Sequence, residues 1–476
     1  MKVQSSRTKI IATFGPACNT KESLLDIINS GVDVMRFNFS HGSHEFHKAG
    51  MDLVKNINEQ FDYNIAILAD LQGPKIRVGE VENNAVQLVE GSIVELTNKL
   101  CISTAAKIFI SYELLAQDVN VGEVILMDDG KLQLKITETD KKKKVKAKVI
   151  AGGILSSKKG VNFPNTKTTV PSLTEKDIKD LKFAVSQDAN WIALSFVRSP
   201  DDVVYLKSLI DKKKKFIKVI SKIEKPEAVD RIDEIIAVSD AIMVARGDLG
   251  VEMPIERMPL IQKDIIKKCI KAAKPVVVAT QMMESMITSP TPTRAEITDV
   301  ANALIDGADA VMLSAETSVG KYPVKVIETV EKIIRNIEKS NILYDNDHPA
   351  DKKSLTFVSD RICYSAVRIA KDINARAILG VTVSGYTGFV VSSYRPKAKI
   401  YLFTNNKDML RTMNICWGVK AFFYDKEKDT DDTIQDLIAI LKKKKIIEIG
   451  DFVINCASMP LKAQGRTNMV KVTVVD

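Results

Sequence analysis

Cysteine, tryptophan and histidine are scarce in this chain of 476 residues, with six, two and four copies. The cysteines (Cys18, Cys101, Cys269, Cys363, Cys416, Cys456) are scattered and form no Cys-x-x-Cys pair. Neither a structural zinc site nor a disulfide framework is therefore indicated, and a reducing cytoplasmic setting is the expectation. His41, His44 and His47 crowd together, but a spacing of three walks around a helix and lacks the i, i+4 pair of metal-binding HExxH helices, so no metal role is expected for them. No apolar run has membrane-spanning length, and the stretch from Met1 to Lys9 has no signal-peptide core, so a soluble protein without a membrane partner is expected. Gly-x-x-x-x-Gly-Lys-Ser/Thr is absent, and no Gly-x-Gly-x-x-Gly follows an expected strand. That excludes P-loop and Rossmann nucleotide sites; a nucleotide, if bound, is held another way.

Charge is not scarce. The formal net charge is +9, with lysine runs at Lys141 to Lys144, Lys212 to Lys215 and Lys442 to Lys445. These runs lie far apart and lack interleaved aromatics, so they read as solvated surface and not as a nucleic-acid interface. A diffuse positive field still favours encounter with phosphorylated metabolites.

The length suggests about three domains. Short β-rich runs alternate with helical patterns over Lys9 to Leu71 and Thr174 to Asn341, the signature of βα units. Candidate strands are Lys9 to Phe14, Val32 to Phe37, Ile65 to Ala69, Trp191 to Ser195, Lys218 to Ser221, Ala241 to Val244, Pro275 to Ala279 and Ala310 to Leu313. Eight such units predict a TIM (β/α)8 barrel with its active site at the carboxyl ends of the strands, and nearly every candidate strand ends in a polar cluster. Between the third and fourth strands the pattern changes to period-two alternation with glycine turns, predicting a small all-β domain, a β-barrel lid, inserted over residues 73–171. The barrel then comprises 1–72 and 172–341, and a C-terminal αβ regulatory domain spans 342–476. In that last unit, Thr382, Ser384 and Thr387 fall at a strand-to-helix junction, where hydroxyls and backbone N–H groups can cradle a phosphate; a simple helix cap is the alternative.

The chemistry concentrates in two strand ends. Ile217-Lys-Val-Ile-Ser-Lys222-Ile-Glu224 and Ala241-Ile-Met-Val-Ala-Arg246-Gly247-Asp248 each run apolar and then stop in charge. A lysine and two carboxylates at adjacent strand ends can hold a divalent metal against an anion, with an ammonium left to neutralise developing charge. An ion pair closing two barrel strands is the other reading. In Met35-Arg36-Phe-Asn38-Phe-Ser40, a guanidinium, an amide and a hydroxyl alternate outward, and Arg36, Arg77, Lys158 and Lys159 would enrich the barrel mouth in phosphate-binding cations.

Over essentially its whole length the chain resembles pyruvate kinases. The matching stretches include Lys9 to Ala17, Met35 to Gly42, Asp70-Leu-Gln-Gly-Pro-Lys-Ile-Arg77, Lys158 to Asn162, Ile217 to Val229, Ile242 to Pro254, Ala279 to Met286, Pro292 to Glu296 and Met312 to Thr317. The resemblance implies transfer of the phosphoryl group of phosphoenolpyruvate to ADP, giving ATP and pyruvate, the last step of glycolysis. It implies that Glu224 and Asp248 bind Mg²⁺, with a second Mg²⁺ arriving with the nucleotide. Lys222, Thr280 and Arg36 would be catalytic, Arg36, Lys222, Gly247, Asp248 and Thr280 would bind substrate, and Asn38, Arg77 and Lys159 would bind nucleotide. Proton delivery to the enolate would involve Thr280, Ser314 or Glu316. A cytoplasmic homotetramer with a sugar-phosphate effector at Thr382, Ser384 and Thr387 is expected, although Tyr386 and Thr387 replace the Arg-Ser pair frequent in members activated by fructose bisphosphate. Many members place K⁺ among the positions of Asn38, Ser40, Asp70 and residue 71, with threonine at 71 and glutamate at 75. This chain has Leu71 and Lys75, so Lys75 is expected as an internal cation and K⁺ is not expected to be required. A barrel lyase or aldolase acting on pyruvate-like acids is the enzyme alternative, and a non-catalytic regulatory paralogue the other.

Overall fold

The computed structural model describes residues 6–210, 216–426, 428–459 and 466–476, so the lysine run 212–215 lies outside the described residues. Eight parallel strands close a barrel: β1 (Lys9–Thr13), β2 (Val34–Asn38), β3 (Ala66–Asp70) and, after an inserted domain, β12 (Trp191–Leu194), β13 (Lys218–Ile223), β14 (Ala241–Ala245), β15 (Val276–Ala279) and β16 (Ala310–Leu313). All eight expected strands form, in the order β1-β16-β15-β14-β13-β12-β3-β2. The strands are buried on both faces, which is why they read as continuous apolar runs without alternation.

The two faces nevertheless differ. Ile11, Val34, Leu68, Ala193, Ile220 and Met243 fill the barrel interior, while Ile10, Met35, Ile67, Ile192, Val219 and Ile242 pack against the surrounding helices. Because side chains repeat every second residue, the interior set continues upward as Thr13, Arg36 and Asn38, Asp70, Ser195, and Lys222 followed by Glu224. The register levels them: Thr13 pairs with Arg36, Asn38 with Asp70, and Leu194 with Ser221. Polar groups thus converge at the carboxyl-terminal mouth without any helix having to aim them.

The insert leaves the barrel after β3 and holds β4 (Val86–Leu88), β5 (Ile93–Thr97), β6 (Lys107–Phe109), β7 (Val124–Met127), β8 (Leu132–Thr139), β9 (Val145–Ala151), β10 (Gly153–Leu155) and β11 (Val161–Asn162). Six strands form one sheet, β11-β7-β8-β9-β5-β6, and β4 with β10 a ribbon, around a separate apolar core. The alternation of β8 and β9, buried then exposed, is what made this region legible as sheet. The short strands β6, β10 and β11 carry too few residues for such a signal. One buried carboxylate gathers both crossings into the insert: Asp177 accepts from Gly73 N–H (2.9 Å) on the way out and from Thr174 N–H (2.9 Å) on the way back. Gly73 sits at φ +69°, and a Cβ there would lie 2.9 Å from Ser195 and Phe196 side-chain atoms, so glycine is required.

The C-terminal domain is a five-stranded sheet, β19 (Val419–Phe423), β18 (Lys399–Thr404), β17 (Ala377–Val381), β20 (Phe452–Ala457) and β21 (Met469–Val474), with β21 antiparallel. It docks on the amino-terminal end of the barrel, away from the mouth. Trp191 Nε1 donates to Thr412 O (3.2 Å), Lys9 Nζ to Val419 O (3.1 Å), and Arg395 pairs with Asp309 (3.1 Å).

Candidate active site

At the mouth, Lys222 Nζ lies 3.2 Å from Asp70 Oδ1 and 3.0 Å from Glu224 Oε1, and donates to Ser195 Oγ at 2.7 Å. Ser195 in turn donates to Leu71 O (2.7 Å). Arg36 Nε meets Asp70 Oδ2 at 2.7 Å, and its NH1 donates to Thr13 Oγ1 at 2.9 Å. Two cations and two anions are therefore packed together in a buried, charge-balanced cluster, in which removing a cation leaves a buried carboxylate undercompensated. Burial opposes the charge on Lys222, yet Asp70 and Glu224 outweigh it and its pKa is raised. Burial likewise opposes ionisation of Asp70, but Lys222 and Arg36 hold its carboxyl below the usual range. Glu224 goes the other way. Burial pushes its pKa up and the Asp248 charge adds to this, against the pull of Lys222 and a hydrogen bond from Phe196 N–H (2.7 Å).

Asp248 and Gly247 lie in the helix Arg246–Glu252 that follows β14 directly. Asp248 Oδ1 pairs with Lys75 Nζ at 3.0 Å. Gly247 N–H donates to Thr280 Oγ1 (2.7 Å). The ammonium expected among Asn38, Ser40, Asp70 and Leu71 thus rests on Asp248. Three members of that pocket are engaged within the protein: Asn38 Oδ1 accepts from Ser40 N–H (3.1 Å), Leu71 O from Ser195, and Asp70 faces Arg36 and Lys222.

Arg77 and Lys159 stand in the insert; Arg77 donates to Lys158 O (3.0 Å) and Lys159 pairs with Asp128 (2.7 Å). The pKa of the His41 imidazole is lowered first by burial and then by the charges of Arg77, Arg36, Lys75 and Lys176. The histidines gather no metal-ligand group of three among the described residues. His44 pairs with Asp180 (2.7 Å) and stacks on Phe183, and His47 bonds His41 O (2.8 Å). Glu316 is committed to the backbone N–H groups of Met283 (3.2 Å) and Ser314 (2.6 Å). In the C-terminal domain, far along the chain from this cluster, Thr382 Oγ1 accepts from Gly385 N–H (2.9 Å) and Thr387 is hydrogen-bonded to Thr467 (2.7 Å). Ser384 is exposed beside them at the start of the helix Tyr386–Ser393. Sequence reasoning missed Thr13 and gave Ser195, noted only as a polar strand end, no role in the cluster. The signal was available, since both continue the inward-facing alternation of β1 and β12.

A closed barrel whose mouth gathers lysine, arginine and hard carboxylate oxygens, touched by a basic insert through Lys75 and Asn162, defines an enzyme of the (β/α)8 class suited to an anionic, phosphorylated substrate. The family described as "Pyruvate kinase, barrel domain" matches residues 5–327, and "Pyruvate kinase, alpha/beta domain" matches residues 360–473. Pyruvate kinase 2 of Synechocystis is 43% identical over 98% of this chain and 79% of its own length. The pyruvate kinase of Staphylococcus aureus is 39% identical over 98% and 80%. The crystal structure of a pyruvate kinase from Cryptosporidium parvum superposes with a TM-score of 0.93 at 36% identity, covering 99% of this chain and 96% of that one. The chain belongs to the pyruvate kinase family, phosphotransferases that convert phosphoenolpyruvate and ADP to pyruvate and ATP and generally use Mg²⁺.

Proposed function

We propose that this reaction takes place at Lys222, and the observation that carries the reading is the ammonium's seat between Asp70, Glu224 and Ser195. Phosphoryl transfer asks for positioning and charge neutralisation more than covalent help. Lys222 meets the oxygens of the moving phosphoryl group and the emerging enolate, and Arg36 holds the phosphate. The Gly247 and Thr280 positions line the substrate's other side. Glu224 and Asp248 fit Mg²⁺: both are hard oxygen donors, and burial together with the Asp248 charge raises the Glu224 pKa, a penalty on its carboxylate that a divalent cation would relieve. Bound there, the ion supplies Lewis-acid polarisation and charge neutralisation, while a second enters with the nucleotide. The Glu316 carboxylate is occupied by backbone N–H groups, which leaves the Thr280 and Ser314 hydroxyls as the proton-relay candidates. Asn38, Arg77 and Lys159 hold the nucleotide. Two of these come from the insert, so we assign residues 73–171 as a lid pivoting at the crossings gripped by Asp177. The barrel is then 1–72 with 172–341, and 342–476 the regulatory unit. A coupled assay should show pyruvate formation dependent on both ADP and Mg²⁺; pyruvate released without ADP would mark a lyase instead.

The monovalent-cation pocket supports a K⁺-independent enzyme. Asn38 Oδ1 and Leu71 O already accept protein hydrogen bonds, Asp70 is paired with Arg36 and Lys222, and the Lys75 ammonium on Asp248 adds positive charge to the same mouth, all of which opposes a further cation. We expect nearly full rate in buffer whose only monovalent cation is a tetraalkylammonium, compared at matched ionic strength because salt also screens the anionic substrates. Lys75→Glu should be poor without K⁺ and partly rescued by it, and more fully when Leu71→Thr restores a polar wall. Many-fold activation of the unaltered enzyme by K⁺ over the matched control would reject the assignment.

We further assign a phosphorylated effector to the Thr382, Ser384 and Thr387 junction in a cytoplasmic homotetramer, supported by the exposed Ser384 hydroxyl at a helix start. No helix among the described residues is long and apolar enough to cross a membrane. Ser384→Glu should abolish activation by sugar phosphates through like-charge repulsion and leave basal turnover nearly intact. Hyperbolic kinetics insensitive to a panel of sugar phosphates would count against an effector here.

A further inference from the structure

Thr280 and Gln281, which follow β15, both sit at positive φ, +71° and +54°. Left-handed backbone is strained for residues with a Cβ, and a β-branched threonine there is a genuine outlier that persists only where its surroundings over-determine it. Those surroundings are supplied mainly by one side chain. Arg246 NH2 donates to Thr280 O (2.7 Å) and reaches Gln281 O (3.4 Å) and Met282 Sδ (3.0 Å). Its NH1 is anchored by Asp299 (2.7 Å) on the helix Arg294–Asp306. The Nε is buried with no hydrogen-bond partner, so all of its bonding runs through the two terminal nitrogens.

The next residue in the chain holds the other end of the same threonine. Gly247 N–H donates to Thr280 Oγ1 (2.7 Å), which itself donates to Ala279 O (2.5 Å). Residue 246 therefore grips the Thr280 carbonyl, residue 247 its hydroxyl, and residue 248 is the carboxylate assigned above to the metal. We propose that Arg246 is a positioning residue for the phosphotransferase reaction: it clamps the left-handed Thr280–Gln281 turn and so fixes the Thr280 hydroxyl relative to Gly247 and Asp248. This rests on the reading that Thr280 acts on the substrate. The bland alternative is an ion pair, Arg246 with Asp299, that only ties two barrel helices together.

The two roles separate in a double variant. If the guanidinium acts by holding a strained turn, a glycine at position 281, which adopts positive φ freely, should lessen the need for it. A helix-to-helix ion pair would gain nothing from that glycine. We expect Arg246→Gln to lower kcat about a hundredfold with the KM for phosphoenolpyruvate changed less than about threefold, since misplacement by about 1 Å is enough for such a loss. Arg246→Lys, which retains one donor for Thr280 O, should fall between. Adding Gln281→Gly to Arg246→Gln should recover about tenfold in kcat, while Gln281→Gly alone stays within about threefold of the parent. Thermal melts of each variant establish that the barrel is folded. Full activity of Arg246→Gln, or an equal loss from it with and without Gln281→Gly, overturns the inference. Thr280→Val is the control: if it is inactive while Arg246→Gln is normal or unrescued, only this inference fails. If Thr280→Val runs at full rate, the reading beneath it fails.

Discussion

Lys222→Met should lower kcat by about a thousandfold or more, roughly 4 kcal/mol of lost transition-state stabilisation, with a much smaller change in the KM for phosphoenolpyruvate. The asymmetry follows from when the charge exists. The ammonium is already balanced by Asp70 and Glu224 before substrate binds, so its surplus attraction is expressed as negative charge develops on the enolate and the transferring phosphoryl oxygens. Methionine matches the length and apolar stem of lysine without the charge. It also leaves Asp70 with Arg36 as its only remaining cation and Glu224 with none of its present ones, so destabilisation of about 3–5 kcal/mol is expected alongside. Mg²⁺ titration by thermal shift then separates a folded but inert enzyme from an unfolded one. A folded variant keeping a tenth of parental turnover would remove Lys222 from the chemistry.

The barrel was legible because parallel strands buried on both faces produce compact apolar runs such as Val276-Val-Val-Ala279, and because each run stops in polar residues. Lys222 and Glu224 stood out for the same reason, as charge directly after Val219-Ile-Ser221, although that pattern alone read equally as an ion pair closing two strands. What the sequence could not carry was partner choice. Lys75 has one neighbour pattern in the chain, and its contact with Asp248, 173 positions on, depends on how the insert folds back onto the barrel. Thr280 and Gln281 gave no hint of left-handed backbone, because neither is a residue type that favours it and the force holding them comes from a residue 34 positions earlier. Asp177 completes the capping box of its own helix with Thr174, while its second role at Gly73 spans 104 positions and is invisible to local pattern. Short strands such as Val161–Asn162 fall below any periodicity.

Glu224→Gln and Asp248→Asn should each cost about a hundredfold or more in kcat/KM, and the double variant should cost far less than the sum of the two free energies, because the two side chains serve one Mg²⁺. The present pairing sharpens this expectation. Glu224 is held by Lys222 and Phe196 N–H and Asp248 by Lys75, so each carboxylate has its own contacting cation while the two repel each other. Without an ion between them, removing one should help the other, and the effects on Tm in metal-free buffer should be mild or even stabilising for Glu224→Gln, whose parent carboxylate is buried against its preference. With Mg²⁺ the order reverses: the parent should gain Tm on titration, each single variant should lose most of that gain, and the double variant should lose little more than either single. The thermal titration does not require turnover, so it tests the shared ion separately from the chemistry. Additive losses, or a Glu224→Gln enzyme with the parental Mg²⁺ dependence, would show that the two carboxylates do not share an ion.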